Sequence, residues 1–465
     1  MLMPNTTNTL PTTSDDNGFL LQSETALSDA SLLAIEYAAT LGATDATAIT
    51  REAGGLTMKV RGGEVETALR DGSSSMTVTV YDGLRSGRST TQALDRSAVQ
   101  RAVEKALAIA REMEPEEYTG LADTDLLAIS APDVPLFAHS GFSADDLHAA
   151  ATETEQAAIE QSDMSAVRVQ EAAAASHDMR WALATSGGFC RASTASMQSR
   201  WCVTIAEQAG QMVRDSWLTS ERRADMMESP YDVGRKAAER SLSRLGARGL
   251  STCRTPVLFD ATIAPSLVAE CCSALTGTAQ YQKNTIFPDA LGKAALAPHI
   301  NLTEDPLEPF GMGSGAWDSE GVACKPRSII ENGTISGLFL GSFSARKLGM
   351  RSTGSADGFR NLCLTSAESM AQDDHAAMLR RLGTGLLVTE FMGGNVNPVT
   401  GDYSKAATGF WVENGEITSP VDNFTIAGNL AVILKTIAAV GADVYRSGAI
   451  RTGSILVPDL QIAGR

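Results

Sequence analysis

The sequence predicts an α+β fold in two domains, each with largely antiparallel β-sheet and flanking helices, the C-terminal one rich in strand. Three observations lead there. A chain of 465 residues exceeds what one compact core usually organises. Short alternating runs such as "SMTVTVYDG" and "ATGFWVENGEI" recur between Gly-containing turns. Amphipathic helical stretches flank these runs, and with 43% hydrophobic residues both halves can bury real cores.

In chain order, residues 1 to about 25 are rich in Thr, Asn, Ser and Asp without periodicity and read as a mobile tail. The first domain is expected over 26–250, the second over 251–465. "SDASLLAIEYAATLGA" reads as a helix opened by Ser28 or Ser31 and closed by Gly42. From Ala46 to Thr91 an antiparallel meander is expected, with hairpin turns at Gly62-Gly63 and Asp71-Gly72. Helices follow in "DRSAVQRAVEKALAIAREM" and from Ser143, then strands from about Val167 to Trp217 turning at Ser186-Gly187-Gly188, then a helix opened by Ser229-Pro230. In the second half "TPVLFD" reads as a strand and 264–276 as a helix. Asn332-Gly333 and Asn414-Gly415 mark hairpins between strand-like runs.

The formal charge of −17 and the absence of a Lys/Arg run oppose binding to a phosphate backbone, so no nucleic-acid partner is expected. Seven cysteines, without a CxxC pair or zinc spacing, fit reduced thiols in a cytoplasmic protein. The first residues lack a basic and apolar leader, and no apolar run of about 18 residues occurs, so neither secretion nor a membrane span is expected.

The helix in "LVAECCSALTG" sets Glu270 beside Cys271 and Cys272, a carboxylate next to two thiols. Both cysteines fall mid-helix, away from the positive end that would favour a thiolate, and successive residues point about 100° apart. They read as buried small hydrophobes, and Glu270 as either a general base or a solvated surface charge. The five histidines (139, 148, 177, 299 and 375) are scattered and none is followed by Glu, so HExxH is absent. His375 reads as capping or decorating an exposed helix and His299 as a loop residue, each without a visible partner. "FGMGSGAWDSEG" lacks the Lys-Ser/Thr of a P-loop and reads as a flexible loop.

The stretch "NVNPVTGDYSKAATGFWVENGEITSPVDNFTIAGNL", residues 395–430, resembles the C-terminal signature of the TldD/PmbA family, and of its PmbA (TldE) branch in particular. "GLTMKVRGGEVET", "GTAQYQKNTIFPDALGK", "EDPLEPFGMGSGAWDSEG" and "FLGSFSARKLGMRSTGSADG" also resemble family blocks, so the likeness spans nearly the whole chain after residue 25. The resemblance implies that a TldD-type subunit carries an HExxxH zinc motif on a helix and a third, cysteine ligand near its C-terminus. Here the corresponding stretch, Val268 to Ser273, reads "VAECCS", and no cysteine follows Cys363. It therefore implies a subunit with no catalytic residues, metal ligands or cofactor of its own, zinc being expected only in a TldD-type partner.

That pair would be a peptidase for unfolded peptides, trimming peptide-antibiotic precursors and degrading antitoxins, with this chain supplying cleft and dimer surface. A homodimer is a further expectation when the partner is absent. Asn395, Asn397, Thr400, Gly401 and Asp402 are candidates to bind an extended peptide backbone, Gly401 allowing close approach. The same "PVTGD" also reads as a turn whose polar groups satisfy its own backbone. Two other functions stay open: a modulator of DNA gyrase acting by binding alone, and an independent hydrolase using Glu270 or a thiol.

Overall fold

The computed structural model describes residues 18–161 and 166–464. Of the expected tail, residues 1–17 lie outside this range, and residues 18–25 are tied to the sheet at Leu20 to Gln22 while residues 21–25 stay exposed. Leu20 is 1% exposed, and the Leu21 and Gln22 N–H groups donate to the Glu52 carboxylate at 2.9 Å each. The first helix consequently starts earlier than Ser28. Ser23 caps it by accepting from the Ala26 N–H, giving α1 (Glu24–Thr40). Ser31 lies on its buried face, 2.7 Å from the Thr50 hydroxyl.

Six antiparallel strands form the N-terminal sheet: β1 (Asp45–Arg61), β2 (Glu64–Asp82), β3 (Arg85–Thr91), β4 (Val167–Thr185), β5 (Cys190–Gln208) and β6 (Gln211–Glu221). Their order is β3-β2-β1-β4-β5-β6. Gly62 and Gly63, both at positive φ, make the β1–β2 turn as the sequence suggests. Asp71-Gly72 does not turn: Gly72 pairs with Gly54 and Asp71 with Gly55 inside β2, because β1 runs on opposite them without a gap.

One face of this sheet is covered by α1, α2 (Arg96–Glu112), α3 (Ala144–Glu160) and α4 (Pro230–Ser243). On α2, Val99, Val103, Ala106 and Ala110 are buried at helical spacing. Ser143 and Asp146 form a capping box on α3, and Ser229 caps α4 with Pro230 in its first turn. The α3–α4 contact is close: a Cβ on Gly234 would lie 2.1 Å from the Thr154 carbonyl oxygen. The opposite face, with Met179 and Met197 each 41% exposed, is only partly covered.

The second half holds two sheets. The larger comprises β7 (Arg248–Gly249), β8 (Cys253–Phe259), β13 (Gly385–Val396), β14 (Asp402–Glu413), β15 (Glu416–Asn429), β16 (Ala439–Val440) and β18 (Ile455–Ala463). β18 pairs with both β8 and β15, so β18-β8-β13-β14-β15 closes into a ring. The smaller sheet contains β9 (Ile300–Glu304), β10 (Arg327–Glu331), β11 (Thr334–Ile335), β12 (Leu362–Ser366) and β17 (Ile450–Arg451). Asn332-Gly333 and Asn414-Gly415 make the two expected hairpin turns.

Helices α5 (Ala264–Ser273), α6 (Gly277–Tyr281), α7 (Ser342–Lys347), α8 (His375–Leu382) and α9 (Leu430–Lys435) complete the half. The helix expected over 264–276 stops at Ser273, because Thr276 caps a new one through the Ala279 N–H. No described helix is long and apolar enough to cross a membrane.

Candidate functional site

Helix α5 rises from β8 through the Asp260 turn, where the Asp260 carboxylate accepts from the Thr262 N–H and hydroxyl. Leu267, Val268, Cys271 and Cys272 face the core beneath the ring of strands, all at most 1% exposed. Both thiols point inward, so neither faces a cleft. Burial pushes the Cys271 thiol up to about 12 and the Cys272 thiol well above its ordinary value. Burial thus keeps the Cys271 thiol protonated at neutral pH and out of reach of a substrate, which disfavours it as a nucleophile.

Glu270, read as a general base or a solvated surface charge, is a partly buried carboxylate with a partner. Its Oε1 lies 3.1 Å from Lys405 Nζ on β14, with the side chains 32% and 18% exposed. Beneath this pair, the Tyr403 hydroxyl is buried without a hydrogen-bond partner among the described residues, and burial, aided by the Glu270 charge, raises its pKa. Among the described residues no three His, Cys, Asp or Glu side chains group closely enough to hold a metal ion.

A pocket of 280 Å³ opens beside Glu270, between α5, α6 and the segment joining β13 to β14. Ser273 and Thr276 form one wall and Val396 and Pro398 the other, so the two stretches singled out in the sequence meet here. The candidate peptide-binding side chains themselves are largely engaged in their own turn. Asn397 Oδ1 accepts from the Val399 and Thr400 N–H groups, and Thr400 Oγ1 donates to Asp402 Oδ2 at 2.7 Å. Gly401, at φ +78°, sits where a Cβ would meet the Asn429 side chain at 2.9 Å, while Asn429 Nδ2 donates to the Thr400 carbonyl. Asn395 is exposed, in register with Ser404.

Two histidines expected to lack partners have them. His299 Nδ1 lies 2.8 Å from Ser366 Oγ and its Nε2 2.9 Å from the Ile437 carbonyl. His375, at the start of α8, has Nδ1 3.5 Å from Asp443 and 3.9 Å from Asp260. These contacts join positions 67 or more apart, so no local pattern could announce them. "FGMGSGAWDSEG" is likewise no flexible loop: Trp317 and Asp318 are buried, and Trp317 packs edge-on against Phe189 of the N-terminal half.

Comparison with known proteins agrees with this architecture. Residues 54–110, 139–245 and 252–464 match domain 1, the central domain and the C-terminal domain of the PmbA/TldA metallopeptidases. The chain belongs to the PmbA/TldD family. The first two family domains share the single six-stranded sheet here, and the third contains α5.

Within the family, it is 38% identical to Metalloprotease PmbA of Escherichia coli O157:H7 over 411 residues, 88% of this chain and 90% of that one. It is 37% identical to a PmbA homolog of Haemophilus influenzae over 97% of this chain and 99% of the other. A TldD homolog from the same organism is more distant, 23% identical over 214 residues, 44% of each chain. Among solved structures, a candidate modulator of DNA gyrase from Bacteroides thetaiotaomicron superposes with a TM-score of 0.86 at 23% identity, covering 94% of this chain and 98% of that one. TldE from Thermococcus kodakarensis gives 0.81 at 17% identity over 94% and 100%. At these identities the structural likeness speaks to the fold.

Proposed function

We propose that this chain is the non-catalytic, PmbA/TldE-type subunit of a cytosolic peptidase, active only when paired with a TldD-type zinc subunit. The observation that carries the reading is α5: where the family's catalytic branch is expected to hold its zinc histidines, this chain has two core-facing thiols and a glutamate neutralised by Lys405. Such a helix can support a cleft wall but offers no set of donors to an ion. Zinc belongs to the partner alone. The pocket beside Glu270 and the largely exposed segment from Asn395 to Asp402, in which Gly401 is buried, contribute to a cleft for unfolded peptide, in which contacts to backbone would tolerate varied sequence.

The test is peptide cleavage by the purified chain, by a TldD-type subunit, and by their mixture, with and without chelator. Cleavage confined to the mixture and abolished by chelator is expected, and cleavage by this chain alone would sink the proposal. A gyrase-binding role is the second reading, favoured by the description of the Bacteroides structure. It wins if the mixture cleaves nothing while the chain binds gyrase. The third reading, an independent thiol hydrolase, runs against the buried thiols.

A further inference from the structure

On the partly covered face of the N-terminal sheet, where the glycine-rich loop meets β1 and β4, lies a cavity of 210 Å³. It is smaller than the roughly 300 Å³ at which ordinary ligand pockets begin, a size that suits one amino-acid residue. Its walls are apolar and aromatic: Ile49, Leu183, Trp181 and Trp317. Trp317 is fixed from behind by Phe189 at 5.9 Å and by the Arg191 guanidinium at 4.9 Å from its ring. The Trp317 ring is therefore held in place before any ligand arrives.

The mouth and floor differ in polarity. Met179 and Arg51 are exposed and set the mouth, whereas Leu183, Trp317 and Asp318 are buried and set the floor. The Arg51 guanidinium makes no hydrogen bond or ion pair with any described residue, whereas Arg360 donates to the Trp317 carbonyl at 2.9 Å, hydrogen-bonds the Cys324 thiol and lies near the Asp318 carboxyl, with donors to spare. Two guanidinium groups thus border one apolar socket, the arrangement that recognises a carboxylate attached to an apolar body. Asp318, 2% exposed, uses Oδ1 to accept from the Glu320 and Val322 N–H groups, while its Oδ2 has no hydrogen-bond partner among the described residues. A finished core pairs such an atom, so the site is incomplete as it stands.

We propose that this socket binds an apolar or aromatic amino-acid residue bearing a free α-carboxylate, its side chain between Trp181 and Trp317 and its carboxylate at Arg51 and Arg360. The site belongs to this chain alone and does not depend on the pairing proposed above. Two sources share that chemistry, a peptide C-terminus and a free amino acid.

The test is calorimetric titration of the full-length chain with Gly-Gly-Phe, the same tripeptide as its C-terminal amide, and L-phenylalanine. Saturable binding of the acid in the millimolar range or tighter is expected, with the amide at least about tenfold weaker. Arg51→Gln, on an exposed residue, should weaken the acid about tenfold and leave the amide unchanged. Binding of the tripeptide without L-phenylalanine assigns the site to peptide C-termini, and equal binding of both assigns it to free amino acids as well. Equal affinity for acid and amide, no saturable heat from any probe, or an unaffected Arg51→Gln variant overturns the proposal.

Discussion

Lys405 Nζ on β14 lies 3.1 Å from Glu270 Oε1 on α5, placing a cation from the sheet beside the only carboxylate of the helix. The pair accounts for a charge that would otherwise be half-buried next to the unpartnered Tyr403 hydroxyl. A fixed ammonium group thus balances the charge that α5 brings to this place.

Breaking that pair should destabilise the fold modestly. Glu270→Ala leaves Lys405, 18% exposed, without its partner, and an effect of about 1 kcal/mol is expected for a partly screened pair. Urea unfolding of both single variants and the double variant reads the coupling. A coupling energy indistinguishable from zero would mean the contact contributes nothing.

The thiols of α5 should be silent in the native state. At pH 8, Cys190 and Cys363 are exposed and should react with a thiol reagent, whereas Cys271 and Cys272 should react only on unfolding. Mass mapping of labelled peptides separates the two classes. Native labelling of Cys271 at a rate like that of Cys363 would show that α5 opens readily and would reopen the thiol reading.

How much of this was legible in the sequence depended on whether the deciding contact was local. Capping serines and Asn-Gly turns announced α3, α4 and both C-terminal hairpins, because each cap or turn is written within four residues. Asp71-Gly72 misled for the complementary reason: its conformation is decided by Gly54 and Gly55 on another strand. The scarcity of histidine and the "VAECCS" stretch were readable directly. The Lys405 partner of Glu270, 135 residues away, was not. Nor was the burial of Trp317 and Asp318, since glycine-rich composition describes a loop's freedom and not what packs over it.

Asp318 should make stability fall as pH rises. Burial, with Glu320 adding repulsion, raises its pKa to about 7, above the ordinary unfolded value near 3.9. A carboxyl that holds its proton more tightly when folded contributes stability fully below about pH 4, and loses that contribution as pH climbs through about 7. Between pH 5 and 8 the chain should lose on the order of 2–3 kcal/mol more than an Asp318→Asn variant, whose amide oxygen can still accept from Glu320 and Val322. Parallel denaturant curves at the two pH values check this. Equal slopes for both proteins would place the titration elsewhere.

His375 should act in the same direction for a different reason. Asp443 above all, with Asp260 and Asp374, raises its pKa, while Asp443 is held below the usual carboxylate range by His375 and by the Ser454 N–H and hydroxyl, against the opposing effect of burial. A raised histidine contributes stability that is complete below its unfolded value near 6.5 and disappears as pH rises through its folded value. Because the His375 side chain is 43% exposed, solvent screens the effect to less than about 1 kcal/mol. His375→Gln should therefore narrow the stability difference between pH 6 and pH 9 without changing the part that Asp318 controls, since the two sit in separate pockets. Combining His375→Gln with Asp318→Asn should flatten the profile additively. Strong non-additivity would show that the two pockets, each lined by residues of both the N-terminal sheet and the C-terminal half, are energetically linked.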